Sequence, residues 1–434
     1  MALQKMLCIL QKADLAVCSG SVDRVIGLAV DSIGPPVNIG EVCNIYPAKG
    51  KQPIKAEVVG FRDKHMLLMP YDKLSGIGPG SRVESTGMAF SVPVGMGLKG
   101  RILDGLGTPI DGKGPIEAED FYNVDGKSSN PFSRPRIDER INLGVKALDG
   151  LLTCGKGQRV GIFAGSGVGK STLLGMIARN ASADINVIGL VGERGRELRD
   201  FVEKDLKEEG MKKSVVVVAT SDRPAMARLK CAMVATTIAE FFRDKGLSVM
   251  LMMDSLTRFA MAQREVGLAT GEAPVSRGYT PSIFSIMPQL LERSGNFETG
   301  SITGIYTVLV EGDDMNEPIA DTVRGILDGH IVLTRSLAMK NHYPAIDVLR
   351  SISRLMTEVV PRDHIELAGQ MRNLMATYEN YEDLISIGAY KAGSNPEVDM
   401  AIKYHEPIES FLKQWVSDHF DAQQTFDLMK NTLT

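Results

Sequence analysis

Between about residues 140 and 350, short apolar runs alternate with stretches whose apolar positions recur at helical spacing. Residues 159–163, 185–191, 215–219, 249–253 and 305–310 read as buried strands, and 170–180, 196–209 and 225–245 as helices between them. Continuous apolar runs separated by helices predict a mainly parallel sheet covered on both faces. Ligands of such sheets bind beyond the carboxyl ends of the strands. The chain before this region has a different texture. Short runs at 25–30, 41–46, 56–61 and 65–69 alternate with Gly, Pro and Asp turns, which predicts a small antiparallel β-barrel. Residues 104–136, rich in Gly, Pro and Asp, read as connector. From about 355 the pattern is helical. Leu367, Met371, Leu374, Met375 and Tyr378 form one apolar stripe. Val398, Ala401 and Ile402 begin another, which Pro407 is expected to interrupt before Phe411, Leu412 and Trp415. At the start, Leu3, Met6, Leu7 and Leu10 have helical spacing, suiting a helix that packs on its own chain or docks a partner. The expected organisation is an N-terminal helix at 1–19, a β-barrel at 20–93, an α/β domain at 94–354 and an α-helical domain at 355–434.

Composition narrows the functional classes. At 434 residues the chain is too long for one ordinary core. Hydrophobic residues at 44% and charged residues at 24% are usual for a globular protein. A net charge of −4 gives no bulk attraction to nucleic acid or anionic lipid. The barrel aromatics Tyr46, Phe61, Tyr71 and Phe90 form no stacking cluster, so the barrel is expected to serve structure or assembly. Five scattered cysteines without a C-x-x-C pair suit a reduced, cytoplasmic compartment. The first residues are too interrupted by polar groups for a signal segment. No apolar run approaches the roughly 18 residues of a membrane span, so any membrane association would come through partners.

The chemistry lies at the predicted strand ends. Gly161-Ile162-Phe163-Ala164-Gly165-Ser166-Gly167-Val168-Gly169-Lys170-Ser171-Thr172 follows one strand and opens one helix. Glycines at alternate positions let backbone N–H groups converge on phosphate. A lysine then neutralises the terminal phosphates, and a hydroxyl can ligate Mg²⁺. The candidate nucleotide-binding residues are Gly165, Ser166, Gly167, Val168, Gly169, Lys170, Ser171 and Thr172. The strict pattern has glycine where Ala164 stands. The run 249–253 leads into Asp254, which fits a Mg²⁺ partner acting through water. Ser255 follows it where many such strands carry a glutamate. The water-activating carboxylate must then come from another strand end, and Glu193 in Gly192-Glu193-Arg194 is the candidate. Arg194 beside it is a candidate contact to the γ-phosphate.

This set resembles the rotary and secretion ATPase superfamily, which includes the catalytic subunits of F-type and V-type ATPases. The matching motifs are Gly192-Glu193-Arg194, Asp254-Ser255-Leu256-Thr257-Arg258, Tyr279-Thr280-Pro281-Ser282, Gly300-Ser301-Ile302-Thr303, Tyr343-Pro344-Ala345-Ile346-Asp347 and Ser351-Ile352-Ser353-Arg354. Segments 155–163, 219–222, 253–264 and 310–321 are most similar to the flagellar type III protein export ATPases. The resemblance implies a multidomain fold: an N-terminal antiparallel β-barrel, a central RecA-like α/β P-loop domain and a C-terminal α-helical domain. It implies Mg²⁺-dependent ATP hydrolysis in a homohexamer with sites between subunits. Arg258 would lie near the site floor, Tyr343 would pack on the adenine, and Arg354 would be an arginine finger given to a neighbouring subunit. Read from its residues, the acidic segment 311–317 suits either a bound cation or, the favoured reading, a loop ordered at the subunit boundary by Asp and Asn bonding to nearby backbone. The implied setting is cytoplasmic, peripheral at the inner-membrane export apparatus. Partners would be a regulator or stator protein, a central stalk protein, the export gate, and substrates with their chaperones, with no specific nucleic acid. Competing readings are a virulence injectisome ATPase, a hexameric RNA or DNA translocase, and a non-catalytic ring subunit.

Overall fold

The computed structural model describes residues 18–48, 52–126, 130–310, 312 and 314–434. The docking helix expected near the N-terminus lies outside the described residues. The described residues divide into two compact units, one of those up to Ser91 with Pro224–Ala227 and Glu265–Ala273, the other of the remainder.

The first unit holds β1 (Ser19–Ile26), β2 (Ala29–Ile33), β3 (Glu41–Ile45), β4 (Ile54–Arg62), β5 (His65–Pro70) and β6 (Arg82–Ala89). They close into a barrel in the order β1-β2-β5-β4-β3-β6, every pairing antiparallel. Val22, Val30, Cys43, Ile45, Val58, Leu68 and Val83 fill it. The run 25–30, read from the sequence as one strand, is instead a hairpin. Gly27 turns it at φ 59°, a conformation that costs glycine little, and the flanking apolar residues hid that turn.

From Val92 the second unit takes up β7 (Ser91–Val94), β8 (Ile102–Asp104) and β9 (Asp120–Asn123), then β10 (Arg140–Ile141) and β11 (Cys154–Gly155). β9 pairs with β7, so the stretch read as connector contains a strand. The main strands are β12 (Arg159–Ala164), β13 (Ile185–Glu193), β14 (Ser214–Thr220), β15 (Ser248–Asp254), β16 (Gly295–Phe297), β17 (Gly300–Leu309), β18 (Gly329–Leu333) and β19 (Ile346–Ser353). Their order is β19-β18-β12-β17-β15-β13-β14-β8, with β16 added to β17. The pairings from β18 through to β8 are parallel, and β19 runs antiparallel to β18. β12, β13 and β15 therefore end on the same edge.

Helices Lys170–Asn180 and Ala225–Asp244 lie where the periodicity places them. The expected helix at 196–209 is Gly195–Asp200, a wider turn at Phe201–Leu206, then Lys207–Lys212. At the C-terminal end, Arg362–Ser386, Pro396–Leu412 and Ala422–Thr432 are helical. Ala368, Met371, Ile408, Phe411 and Met429 share one core with Leu148, Leu151 and Val348, so these helices are packed on the α/β layers. Pro407 does not interrupt its helix. A proline there removes one N–H from the ladder, and the buried Tyr404, Ile408 and Phe411 around it hold the helix together. Trp415, grouped with that stripe in the sequence, is 79% exposed. Among the described residues no helix is long and apolar enough to cross a membrane.

Candidate active site

β12 delivers the glycine-rich loop. Its last residue, Ala164, is buried, and its carbonyl accepts from Val310 N at 3.0 Å. Ala164 thus ends a strand and has no need of glycine's freedom. Gly167 and Gly169 have φ of 80° and 90°, the left-handed values that favour glycine. Gly169 caps helix Lys170–Asn180. That helix buries Leu173, Leu174, Met176 and Ile177 in the core, which aims its N-terminus, with free N–H groups and positive dipole end, at the sheet edge. Ser171 is exposed in the first turn. The Thr172 side chain bonds Asp205.

Three charged side chains meet beyond the sheet. Lys170 Nζ lies 2.5 Å from Asp254 Oδ1 and 4.0 Å from Glu193 Oε1. Thr307 Oγ1 on β17 donates to Asp254 Oδ1 at 2.7 Å. All three members are at least 87% buried by side chain, Glu193 being the most open at 13% exposure. Two carboxylates share one ammonium, and Lys170 sits closer to Asp254. Burial first, then the Asp254 charge, push Glu193 up to about 7, while Lys170 pulls the other way. Glu193 Oε1 and Arg258 Nε are buried without hydrogen-bond partners. Such orphans are costly and mark a place where another group can bind. Gly192, at φ 71°, breaks the β13–β14 register just before Glu193. A methyl group there would lie 3.1 Å from Arg258 Cβ, so glycine lets Arg258 close against the site.

The remaining sequence candidates are placed differently. Arg194 is 79% exposed and pairs with Glu197 at 3.7 Å, so it is not drawn into the cluster. The Tyr343 ring lies over the phosphate loop, where a methyl on Gly169 would touch it at 3.6 Å. Arg354 follows β19 at the opposite edge of the sheet. Its N donates to Asp328 O at 3.0 Å, and Asp328 binds Arg159 at the start of β12. The length of β12, roughly 17 Å, separates the Arg354 backbone from its own loop. Sequence reading missed Thr307, whose only signal was a hydroxyl inside an apolar run. It also missed Gln414, whose backbone N donates to Tyr343 O at 3.0 Å.

Residues 144–353 match the ATP synthase alpha/beta family, nucleotide-binding domain. Residues 22–87 match that family's beta-barrel domain, and 360–431 the T3SS EscN ATPase C-terminal domain. The chain is 59% identical over 397 residues to the flagellum-specific ATP synthase of Bacillus subtilis, covering 91% of this chain and 90% of the relative. It is 50% identical over 410 residues to the type 3 secretion system ATPase of Xanthomonas euvesicatoria, covering 94% and 93%. The assembled ATPase EscN from the enteropathogenic E. coli type III secretion system superposes with a TM-score of 0.91 at 47% identity, over 96% of this chain and 100% of that one. In complex with its central stalk EscO, EscN gives a TM-score of 0.88 at 46% identity, over 96% and 100%. With its barrel, sheet and helices all matched at this identity, the chain belongs to the ATP synthase alpha/beta family, in the group of flagellum-specific and type III secretion ATPases, and is an ATP-hydrolysing enzyme.

Proposed function

We propose that the chain is a Mg²⁺-dependent ATPase that works as a homohexamer to energise export of flagellar proteins through a type III apparatus. The observation that carries the site assignment is Glu193 Oε1, buried without a hydrogen bond 4.0 Å from Lys170 and beside Asp254. A carboxylate there can orient a water and take its proton, and the burial that raises its pKa also makes it a stronger base. Lys170, held by Asp254 in the free site, turns to the β- and γ-phosphates. The backbone of Gly165, Ser166, Gly167, Val168 and Gly169 cradles phosphate, with Thr172 adjoining. Ser171 and, through water, Asp254 would hold Mg²⁺, which neutralises charge on the phosphates. The open hydroxyl and the carboxylate beside Lys170 are hard oxygen donors of the kind this ion takes. Arg258 lies at the floor, with Arg194 near the γ-phosphate once nucleotide is bound. Tyr343 packs on the adenine.

Arg354 is the finger of a neighbouring copy. Its place at the far edge supports this, because it is remote from its own loop. Such an arginine contributes roughly 10³ to 10⁵ in rate. The names of the relatives, assembled EscN and its complex with a central stalk, support a ring with a stalk partner. A regulator or stator protein, an export gate, and substrates with chaperones complete the proposed partners. The setting is cytoplasmic, at the membrane face of the apparatus. In this organisation 20–93 is the barrel domain, 94–354 the ATPase domain and 355–434 the helical domain. The likeness to the Xanthomonas enzyme favours one second reading, an injectisome ATPase.

Expression in a strain lacking its flagellar ATPase tests the reading. The chain should restore motility and filament-protein secretion, and Lys170→Ala should lose both motility and ATP hydrolysis. Restoration of effector secretion in an injectisome ATPase mutant, without motility, would transfer the assignment to the second reading. Full hydrolysis by Lys170→Ala would remove the site assignment.

A further inference from the structure

Tyr343 sits at the end of a chain of polar contacts that leads away from the phosphate loop. His342, one residue before it, is 2% exposed. Its Nδ1 lies 2.9 Å from Glu409 Oε2 on helix Pro396–Leu412. That hydrogen bond, ahead of opposing burial, holds Glu409 below the usual carboxylate range. The carboxylate is therefore the acceptor and Nδ1–H the donor. On the other side of the same helix end, Gln414 N donates to Tyr343 O at 3.0 Å. The Gln414 side chain is itself fixed. Its Oε1 accepts from Lys146 N at 2.9 Å, and its Nε2 donates to Gly144 O at 2.9 Å.

Packing fixes only part of this place: Ile346 and Val348 are buried in the core, whereas Tyr343 is 42% exposed. A cavity of about 380 Å³ lies beside His342, between part of this segment and the C-terminal helices. Leu374, Met375, Ile346, Val348 and Ile408 line its apolar walls. Lys340 and Glu382 reach across one side at 3.5 Å, both half exposed or more. The His342–Glu409 bond is a part-buried polar link across the gap, closed at the histidine and more open at the glutamate. Side chains beside a cavity lack contacts that would hold them, so a directional bond there sets position more than it adds cohesion.

We infer that His342 and Glu409 are positioning residues for the base of the nucleotide: their hydrogen bond, with the Gln414 contact, holds the Tyr343 backbone so that its ring stays against Gly169. The inference rests on the reading that Tyr343 packs on the adenine. Neither residue reaches the phosphates. Loss of the pair should therefore weaken recognition of the base and leave phosphate binding and chemistry in place.

The experiment compares Glu409→Ala, Glu409→Gln and Tyr343→Ala at one fixed protein concentration, with ATP as substrate and inorganic triphosphate as a competitive inhibitor that has no base. A lost charge-assisted hydrogen bond predicts that Glu409→Ala raises KM for ATP roughly tenfold with kcat within about twofold. The inhibition constant of triphosphate should not move. Glu409→Gln keeps an oxygen acceptor and should restore KM. His342→Asn, whose side-chain amide replaces the Nδ1 donor, serves as the second variant if Glu409→Ala does not fold, and should fall between the two. An equal rise in the triphosphate constant would overturn the inference in favour of general loosening. An unchanged KM in Glu409→Ala beside a raised KM in Tyr343→Ala would overturn it while leaving the role of Tyr343 intact. An unchanged KM in Tyr343→Ala would remove the base reading and the inference with it.

Discussion

Glu193 occupies a position that the free protein tolerates at a cost. Its carboxyl is pushed up to about 7 from 4.5, by burial first and by Asp254 second. The folded chain therefore keeps this proton to a higher pH than the unfolded chain does. Between about 4.5 and 7 the native state loses stability as pH rises, and the loss is complete above 7. Glu193→Gln removes the charge while keeping the shape. It should raise Tm at pH 8, measured calorimetrically without nucleotide, and the gain should shrink as pH falls toward 5. A gain that grows toward pH 5 would contradict the raised pKa. In the role proposed for it, the same group sets the acid limb of catalysis. kcat/KM for ATP reports the free enzyme and should fall tenfold per unit well below pH 7. Glu193→Gln should still bind ATP and lose turnover.

The strands that carry this site were legible because both of their faces are buried. Runs such as 249–253 need no partner to be recognised, and they put Lys170, Glu193 and Asp254 on one edge. β8, β18 and β19 were not legible. They are short or near the sheet rim, and β19 alternates buried Val348 and Ser351 with exposed Arg350 and Ile352. Thr307, His342 and Gln414 escaped for a related reason, since each acquires meaning from a partner 53 to 71 positions away. A local feature shows how turns orient these elements. Asp149 accepts from the N–H groups of Leu143, Gly144 and Val145 at 2.8, 2.7 and 3.0 Å, fixing the entry to helix Lys146–Leu151. Burial pushes this carboxyl up to about 7 against the pull of those donors. At pH 8 it is the acceptor for all three. Asn at 149 supplies one oxygen and turns an NH₂ toward the other N–H groups. Leaving buried donors unpaired should cost about 3 kcal/mol. Urea unfolding of Asp149→Asn at pH 8 checks this, and a change within about 0.5 kcal/mol would show that the clamp is dispensable.

At the scale of the whole molecule, the sheet separates the two parts of the proposed site. Lys170, Glu193 and Asp254 stand at the carboxyl edge and Arg354 at the amino edge, with β12 between them. A chain built this way cannot bring its own arginine to its own phosphates without breaking the sheet. Two copies set side by side can, each giving one edge and taking the other. A ring of Lys170→Ala subunits then has fingers but no phosphate lysine, and a ring of Arg354→Ala subunits has the reverse. Both should be inactive. In rings assembled from equal amounts of the two, an Arg354→Ala subunit that receives its finger from a Lys170→Ala neighbour has every group it needs. Random placement makes that arrangement at about a quarter of the interfaces. Specific ATPase activity of the mixture should therefore rise far above either parent, approaching a quarter of wild type. Mass measurement of the same samples confirms that mixed rings have formed. Dilution supplies the companion test, because activity that depends on a neighbour must fall per subunit as rings dissociate. Verified mixed rings with no more activity than the parents would show that Arg354 does not act across the interface.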